Sequence, residues 1–311
     1  MIRYVAKRVA AILLTLWLLA TLGFVLVELI PGDPARQLAG PAASIETVAR
    51  IRHAYGFDKP FLERYVESLE RFAHGNLGYS FSRSEDVRSV IARGVRRTML
   101  LTGLAFLGEV LIAIPLALLV VSRPGRLADR LLVAAAGATS AIPSFLVGLV
   151  LLYFFSFRLR WFPLGGAGPL FSRFYVLPVL SVAVPFGLVL ARLLRTTLRE
   201  EQEQDYVFFA LGQGDSMWRV RWRHMLPNAI LPLLSVLALD FATLFSSVAV
   251  VEVVFSMQGL GSDLFGAIRR VDTPLIVGIA LVSGVVVAVV NLAADLAVIA
   301  IDPRVRAARS R

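Results

Sequence analysis

The sequence predicts an all-α integral membrane protein with six transmembrane helices and a small helical extracytoplasmic subdomain. Three observations carry that expectation. Of 311 residues, 57% are hydrophobic and only 17% charged, whereas soluble domains run at about 45–50% apolar and about 25% charged. Six apolar runs are long enough, or nearly so, to cross a bilayer core, which takes about 17–25 helical residues. Finally, the segment 31–97 is too long to be a simple connection and carries helical rather than continuous apolar periodicity.

The six runs fall at residues 9–30, 99–121, 131–157, 176–194, 230–252 and 275–301. Arg3, Lys7 and Arg8 precede the first, as in a secretory signal. Its apolar core exceeds the roughly 7–15 residues of a signal h-region and no Ala-x-Ala cleavage site follows, so residues 1–30 are expected to form a retained signal-anchor helix. The fourth run is the weakest, with Pro178 and Pro185 inside it and Arg192 near its end. Proline is tolerated in a span when neighbouring helices satisfy the freed carbonyls.

Segment 31–97 is expected to be the extracytoplasmic subdomain. Phe61, Leu62, Tyr65, Val66, Leu69 and Phe72 recur at helical spacing, with Glu63, Glu67 and Glu70 opposite, and residues 44–55 form a second helix between Ser44 and Gly56. It either packs on the outer ends of the spans or contacts a ligand. Residues 98–311 form a five-helix core with a long cytoplasmic segment, 195–229.

Six spans put both termini on one side, and the basic residues say which. With the N-terminus inside, the four cytoplasmic segments hold 15 Lys and Arg in 62 residues, against 5 in 40 for the two short outer loops. Cytoplasmic loops carry the excess of positive charge, so both termini are expected in the cytoplasm of a multi-pass protein of the cell membrane. This bias also accounts for a net charge of +10 without nucleic acid.

Enzyme chemistry is not expected. The chain has no cysteine, and its three histidines, His53, His74 and His224, show no metal-ligand spacing. Only Lys7 and Lys59 are lysines and neither follows a glycine, so no phosphate-binding Gly-x-x-x-x-Gly-Lys loop can be built. Gly212-Gln213-Gly214 lacks the strand that a dinucleotide fingerprint needs. No catalytic residue, metal site or cofactor is expected in this chain.

The cytoplasmic segment holds the most informative string. Glu200, Glu201, Glu203 and Asp205 precede the apolar run Tyr206 to Leu211, and carboxylates favour a helix N-terminus. Gly212 and Gly214 then stop that helix, Gly214 by taking a positive φ. Trp218, Arg219, Arg221, Trp222, Arg223 and His224 follow, before Leu226-Pro227. The aromatic side of such a helix either rests on lipid or docks on a cytosolic partner.

Polar groups inside the spans form a second set. Glu109 and Asp240 lie near mid-depth, Asn291 and Asp295 in the inner part of the sixth span, and Glu252 at the outer end of the fifth. An acid at the bilayer centre costs roughly 2.5–3.5 kcal/mol on insertion scales, so these residues face a bundle interior or a wet cavity. They either line a translocation pathway or bond a neighbouring helix; Glu252 is expected at an outer gate or docking rim.

Ala210-x-x-x-Gly214, followed after nine residues by His224 and Leu226-Pro227, resembles the coupling motif of permease subunits from ATP-binding-cassette importers. The surrounding strings are similar to the dipeptide, oligopeptide and nickel group: Pro31-Gly32-Asp33-Pro34, Leu77-Gly78-Tyr79-Ser80, Ile142-Pro143-Ser144-Phe145, Asp205-Tyr206-Val207 and Pro227-Asn228-Ala229. Glu252-x-x-Phe255-Ser256-x-x-Gly259-Leu260-Gly261, Asn291-x-x-x-Asp295 and Asp302-Pro303-Arg304 continue the likeness over nearly the whole chain. Two features depart from it: Gln213 stands where a basic residue is usual, and Phe208 and Phe209 where alanines are.

The resemblance implies a type I ABC importer permease fold, forming half of a pathway for short peptides, or for nickel complexes or haem-like cargo. The alternative from another class, a stand-alone secondary transporter, should show two related halves. Asp205, Tyr206, Phe209, Ala210, Gly214, His224, Leu226 and Pro227 would couple to ATPase subunits. Glu252, Phe255, Gly259 and Gly261 would form an outer gate or binding-protein contact. Expected partners are a second permease subunit, two ATPase subunits that carry ATP and Mg, an extracytoplasmic substrate-binding protein and the lipid bilayer.

Overall fold

The computed structural model describes residues 2–29, 34–39, 43–54, 58–166, 168–169 and 171–301. Pro31-Gly32-Asp33, Gly56 and Asp302-Pro303-Arg304 lie outside them. Helices α1 (Ile2–Leu29), α2 (Pro34–Ala39), α3 (Ile45–Ala54) and α4 (Phe61–Ala73) lead to a short antiparallel pair, β1 (Tyr79–Ser80) and β2 (Glu85–Asp86). Helices α5 (Val87–Val121), α6 (Leu127–Ala141), α7 (Ser144–Leu151) and α8 (Arg173–Gln202) follow, with a π-helical extension of α7 over Leu152–Arg158. Short helices α9 (Asp205–Gly212), α10 (Met217–Val220) and α11 (Leu226–Ile230) precede α12 (Leu234–Val254), α13 (Leu260–Arg269) and α14 (Thr273–Ile301). Among the described residues five helices are long and apolar enough to cross a membrane, or six if the bent pair α6–α7 is one span.

That pair is the third run, and the structure bends it. Its halves meet at 102°. Pro143 has no N–H to donate and pushes the residue before it out of the α region; Ile142 accordingly sits at φ −107°, ψ 118°. The second and fourth runs are extended rather than broken. α5 begins twelve residues before its apolar run because Val87, Val90, Ile91 and Thr98 form a buried stripe while Arg88, Arg93, Arg96 and Arg97 stay exposed, an amphipathic pattern that hydropathy alone misses. α8 continues to Gln202 in the same way, burying Leu194 and Leu198.

The described chain divides into two compact units, residues 2–95 with 263–288 and residues 96–262 with 289–301. In the first, α4 packs on α1: the Phe24 ring lies 5.3 Å from Phe61 and 5.4 Å from Tyr65, and the Tyr65 and Thr21 hydroxyls are 2.7 Å apart. Asp272 organises the rest. Its Oδ2 accepts from Ser80 Oγ at 2.6 Å and from Ser82 N at 2.9 Å, so the serine of Leu77-Gly78-Tyr79-Ser80 fixes the entrance to α14.

The second unit is the bundle of α5 to α12. Gly108 and Gly187 let α5 and α8 approach closely: a Cβ on Gly108 would lie 2.9 Å from Ala183 Cβ, and one on Gly187 3.0 Å from Ile112. Asp129, only 4% exposed, accepts a bidentate pair of bonds from Arg195, one bond from Arg199 at 2.8 Å and one from Gly125 N at 2.8 Å. It anchors the start of α6 to α8, a role that no sequence motif announced.

Candidate functional site

The expected coupling segment is mostly not a loop. Its first residues belong to α8, so Glu200 and Glu201 lie in the last turn of that helix rather than ahead of the next one, and only Asp205 is a carboxylate in the first turn of α9. The Tyr206 hydroxyl reaches back to donate to Glu201. Burial pushes the Tyr206 phenol up to about 12, with Glu201 adding to the shift and Asn228 opposing it. Tyr206 therefore clamps α9 against the end of α8.

α9 is sharply two-sided. Val207 and Ala210 join a buried cluster with Ala117, Leu118 and Val121 of α5 and Leu194 and Leu198 of α8. Val220, Met225, Leu226 and Ala229 complete that cluster. On the other side Phe208 and Phe209 are 63% and 69% exposed. Trp218 and Trp222, with rings 5.7 Å apart, are also exposed. Ala210 and Leu226 thus seat the segment, whereas Phe209, Asp205 and Pro227 are exposed.

Its bends have local causes. Gly214 takes φ +90°, and two bonds close the end of α9: Asp215 N to Ala210 O at 3.2 Å and Gly214 N to Leu211 O at 3.0 Å. This is the Schellman pattern, in which a left-handed residue suits glycine. Asp215 then accepts from Arg219 at 2.8 Å and lies 3.8 Å from His224 Nε2. Ahead of Pro227 the helix widens into a π turn over Arg221–Met225, relieving the clash that a proline makes with the carbonyl four residues back.

A cavity of about 510 Å³ opens in the same unit. Its wall includes the Ile142-Pro143-Ser144-Phe145 bend, Pro185, Phe186 and Val189 of α8, and Asp240, Thr243, Ser246, Ser247 and Val250 of α12. Among the described residues Asp240 is its only charged wall residue. Glu109 is fully buried, and the group with which its carboxyl interacts is the carboxyl of Asp240. The structure thus brings together two of the four acids and amides expected in the pathway. Asn291 is half-buried and not part of this wall; the side chain of Asp295 lies outside the described ones.

The Glu252 motif proves to be an internal lock. Glu252 is 1% exposed and Phe255 2%, and Gly259 and Gly261 are buried. One carboxylate oxygen accepts from Thr98 Oγ1 at 2.6 Å, the other from Gly261 N at 2.8 Å, and Thr98 Oγ1 in turn accepts from Leu260 N at 2.9 Å. A Cβ on Gly259 would collide with the Glu252 carboxylate, and one on Gly261 with the backbone of Ala249. These four residues hold the turn after α12. Thr98, the other half of the lock, carried no signal in the sequence. Among the described residues no group of three or more His, Cys, Asp or Glu could hold a metal ion.

Known proteins are similar to this chain. A probable peptide ABC transporter permease protein, y4tP, of Sinorhizobium fredii (strain NBRC 101917 / NGR234) is 31% identical over 311 residues, covering 97% of this chain and 99% of the relative. The glutathione transport system permease protein GsiC of Escherichia coli (strain K12) is 30% identical over 306 residues, covering 98% and 99%. An inward-facing structure of the MetNI methionine ABC transporter superposes with a TM-score of 0.56 at 20% identity, over 68% of this chain and 96% of that one; at that identity the likeness is one of fold. Residues 1–102 match the N-terminal part of the binding-protein-dependent transport system membrane component. Residues 110–307 match its main part, and the chain belongs to the family described as binding-protein-dependent transport system inner membrane component.

Proposed function

We propose that this ABC importer permease subunit forms half of a pathway for short peptides and receives the motion of ATPase subunits on the outward side of α9 and α10. Relatives named for peptide and glutathione transport favour that cargo over nickel complexes or haem. ATP and Mg belong to the two ATPase partners, a second permease subunit completes the pathway, and an extracytoplasmic binding protein delivers cargo. Both termini lie in the cytoplasm, and residues 31–97 form the extracytoplasmic part.

The observation that carries the reading is the two-sided coupling segment. Its aromatic side chains are exposed while its other side is cemented to the inner ends of α5 and α8. Exposed aromatic patches of this kind mark interaction sites, and a rigid docked element can pass on a partner's closure as rigid-body motion. Asp240 and its cavity are the corresponding candidate for the pathway.

The absence of native cysteine makes the test direct. A single cysteine replacing Phe209 should cross-link to an ATPase subunit in the assembled complex. The reading fails if that cysteine forms no such adduct and a fluorophore attached to it is instead quenched by a spin label confined to the lipid phase.

A further inference from the structure

We propose that the turn between α5 and α6 binds the phosphate headgroup of an anionic phospholipid, held by Arg123, Arg126 and Arg130. This goes beyond the transport reading and needs neither the identity of the cargo nor that of the ATPase subunits.

The three cations lack a counter-charge within the described chain. Arg123, Arg126 and Arg130 are all exposed, and among the described residues none of their guanidinium groups is bonded to a side chain. The acid beside them, Asp129, is 4% exposed and already occupied. Arg195 donates to it at 2.7 Å, and Arg199 and Gly125 N each at 2.8 Å. Arg126 and Arg130 stand four residues apart at the start of α6, so their charges are neighbours on one face. Like charges at that spacing are destabilising, and cations at a helix N-terminus oppose its dipole. An anion shared by these arginines removes both costs.

The place of the turn says where the anion comes from. α5, ending at Val121, is long and apolar enough to cross a membrane, and the bent pair that opens with Leu127 passes the same test. Residues 122–126 therefore join two spans at the membrane surface, the depth of the lipid headgroups. Beyond the arginines the exposed side of α6 is apolar: Leu127 and Leu131 are 72% and 58% exposed, and Ala134, Gly137 and Ala138 continue it. A phospholipid fits both parts, with its phosphate on the guanidinium groups and an acyl chain along the apolar side. A soluble anion would use only the first part. Guanidinium groups bind phosphate through paired N–H donors, and basic sites between spans hold anionic headgroups.

The turn is also shaped in advance. Gly125 takes φ +74°, its N–H is fixed by Asp129, and Pro124 restricts the chain before it. Arg221, in the π turn of the coupling segment, donates to Ser122 Oγ at 2.5 Å. A backbone already fixed has little freedom left to lose when a headgroup binds.

The test uses the complete importer in phosphatidylcholine liposomes, with cysteine-free partner subunits and a fluorophore on a single Leu131→Cys. Phosphatidylglycerol or phosphatidylcholine with a nitroxide on its acyl chain is then added at equal mole fraction. An anionic surface favours each nearby cation by roughly fivefold. With three arginines, quenching should report phosphatidylglycerol at the label at least roughly tenfold above phosphatidylcholine. Arg126→Gln with Arg130→Gln should bring that ratio towards one. Equal quenching by the two lipids with all three arginines present would overturn the site, and so would a preference that survives in the double variant. Quenching by neither lipid would mean that protein covers this side of α6, and would overturn it too. If the double variant fails to assemble, Arg123→Gln decides, with an expected fall in the ratio of roughly fivefold and an unchanged ratio refuting the site.

Discussion

Replacing Gly259 by alanine should disable the lock around Glu252, and the structure gives the size of the effect. The new Cβ would fall on the Glu252 carboxylate, so the carboxylate must leave its bonds from Thr98 at 2.6 Å and Gly261 N at 2.8 Å. Hydrogen bonds to a charged group contribute about 1.5–3 kcal/mol each; losing two costs about 3–6 kcal/mol. At roughly 2–4 °C per kcal/mol, the Tm of the purified complex should fall by roughly 10 °C in a thermal melt. Glu252→Ala should lose a similar amount by removing the same two bonds. The double variant Glu252→Ala with Gly259→Ala should be scarcely worse than either single one, because the collision has gone; such non-additivity is the mark of residues in contact. Gly261→Ala collides instead with the backbone of Ala249, so removing the Glu252 side chain should not rescue it. Additive losses at Glu252 and Gly259, or a Gly259→Ala complex that melts like wild type, would refute the lock.

Other consequences can be tested in the same material. A single cysteine at Ser44 should label from outside intact cells and one at Ser216 only after permeabilisation; labelling of Ser216 in intact cells would reverse the orientation. Gly214 has φ +90° and nothing within 4 Å of an added Cβ, so Gly214→Val costs backbone strain alone, roughly 1–2 kcal/mol. That variant should assemble yet lose substrate-stimulated ATP hydrolysis, whereas Gly214→Asn, which tolerates a left-handed backbone, should keep most of it; equal loss in both would remove the backbone as the cause. The Tyr206 phenol, raised from 10.0 to about 12, binds its proton more tightly in the folded chain. Its contribution to stability is therefore complete below pH 10 and is lost as pH climbs towards 12. Tyr206→Phe should remove a phenol that ionises near pH 12 from a spectrophotometric titration, and a phenol lost from the part of the curve near pH 10 would contradict the burial argument.

The spans were legible because twenty-odd apolar residues in a row have few other uses. Where they bend or overrun was less so. The 102° corner at Pro143 turns on a proline that elsewhere, as at Pro185 within α8, leaves a helix continuous; local sequence does not separate the two. The polar beginning of α5 and end of α8 escaped a reading by hydropathy because only one face of each is apolar. Glu200 and Glu201 were assigned to the start of α9 by their charge, although their place depends on how far α8 runs. Glu109 and Asp240 were each visible as acids in apolar runs. Their proximity was not, since it depends on the packing of α5, α8 and α12. Thr98 and Asp272 act through partners more than a hundred residues away, and no local pattern encodes such a distance.

The central claim is that this chain moves cargo only when ATPase subunits drive it. Uptake of a labelled dipeptide into liposomes holding the complete complex, with ATP on the ATPase side, tests this most directly. The account predicts accumulation against the gradient that stops when ATP is replaced by a non-hydrolysable analogue or when the ATPase subunits are omitted. Accumulation by the permease subunits alone, powered by an ion gradient, would contradict it.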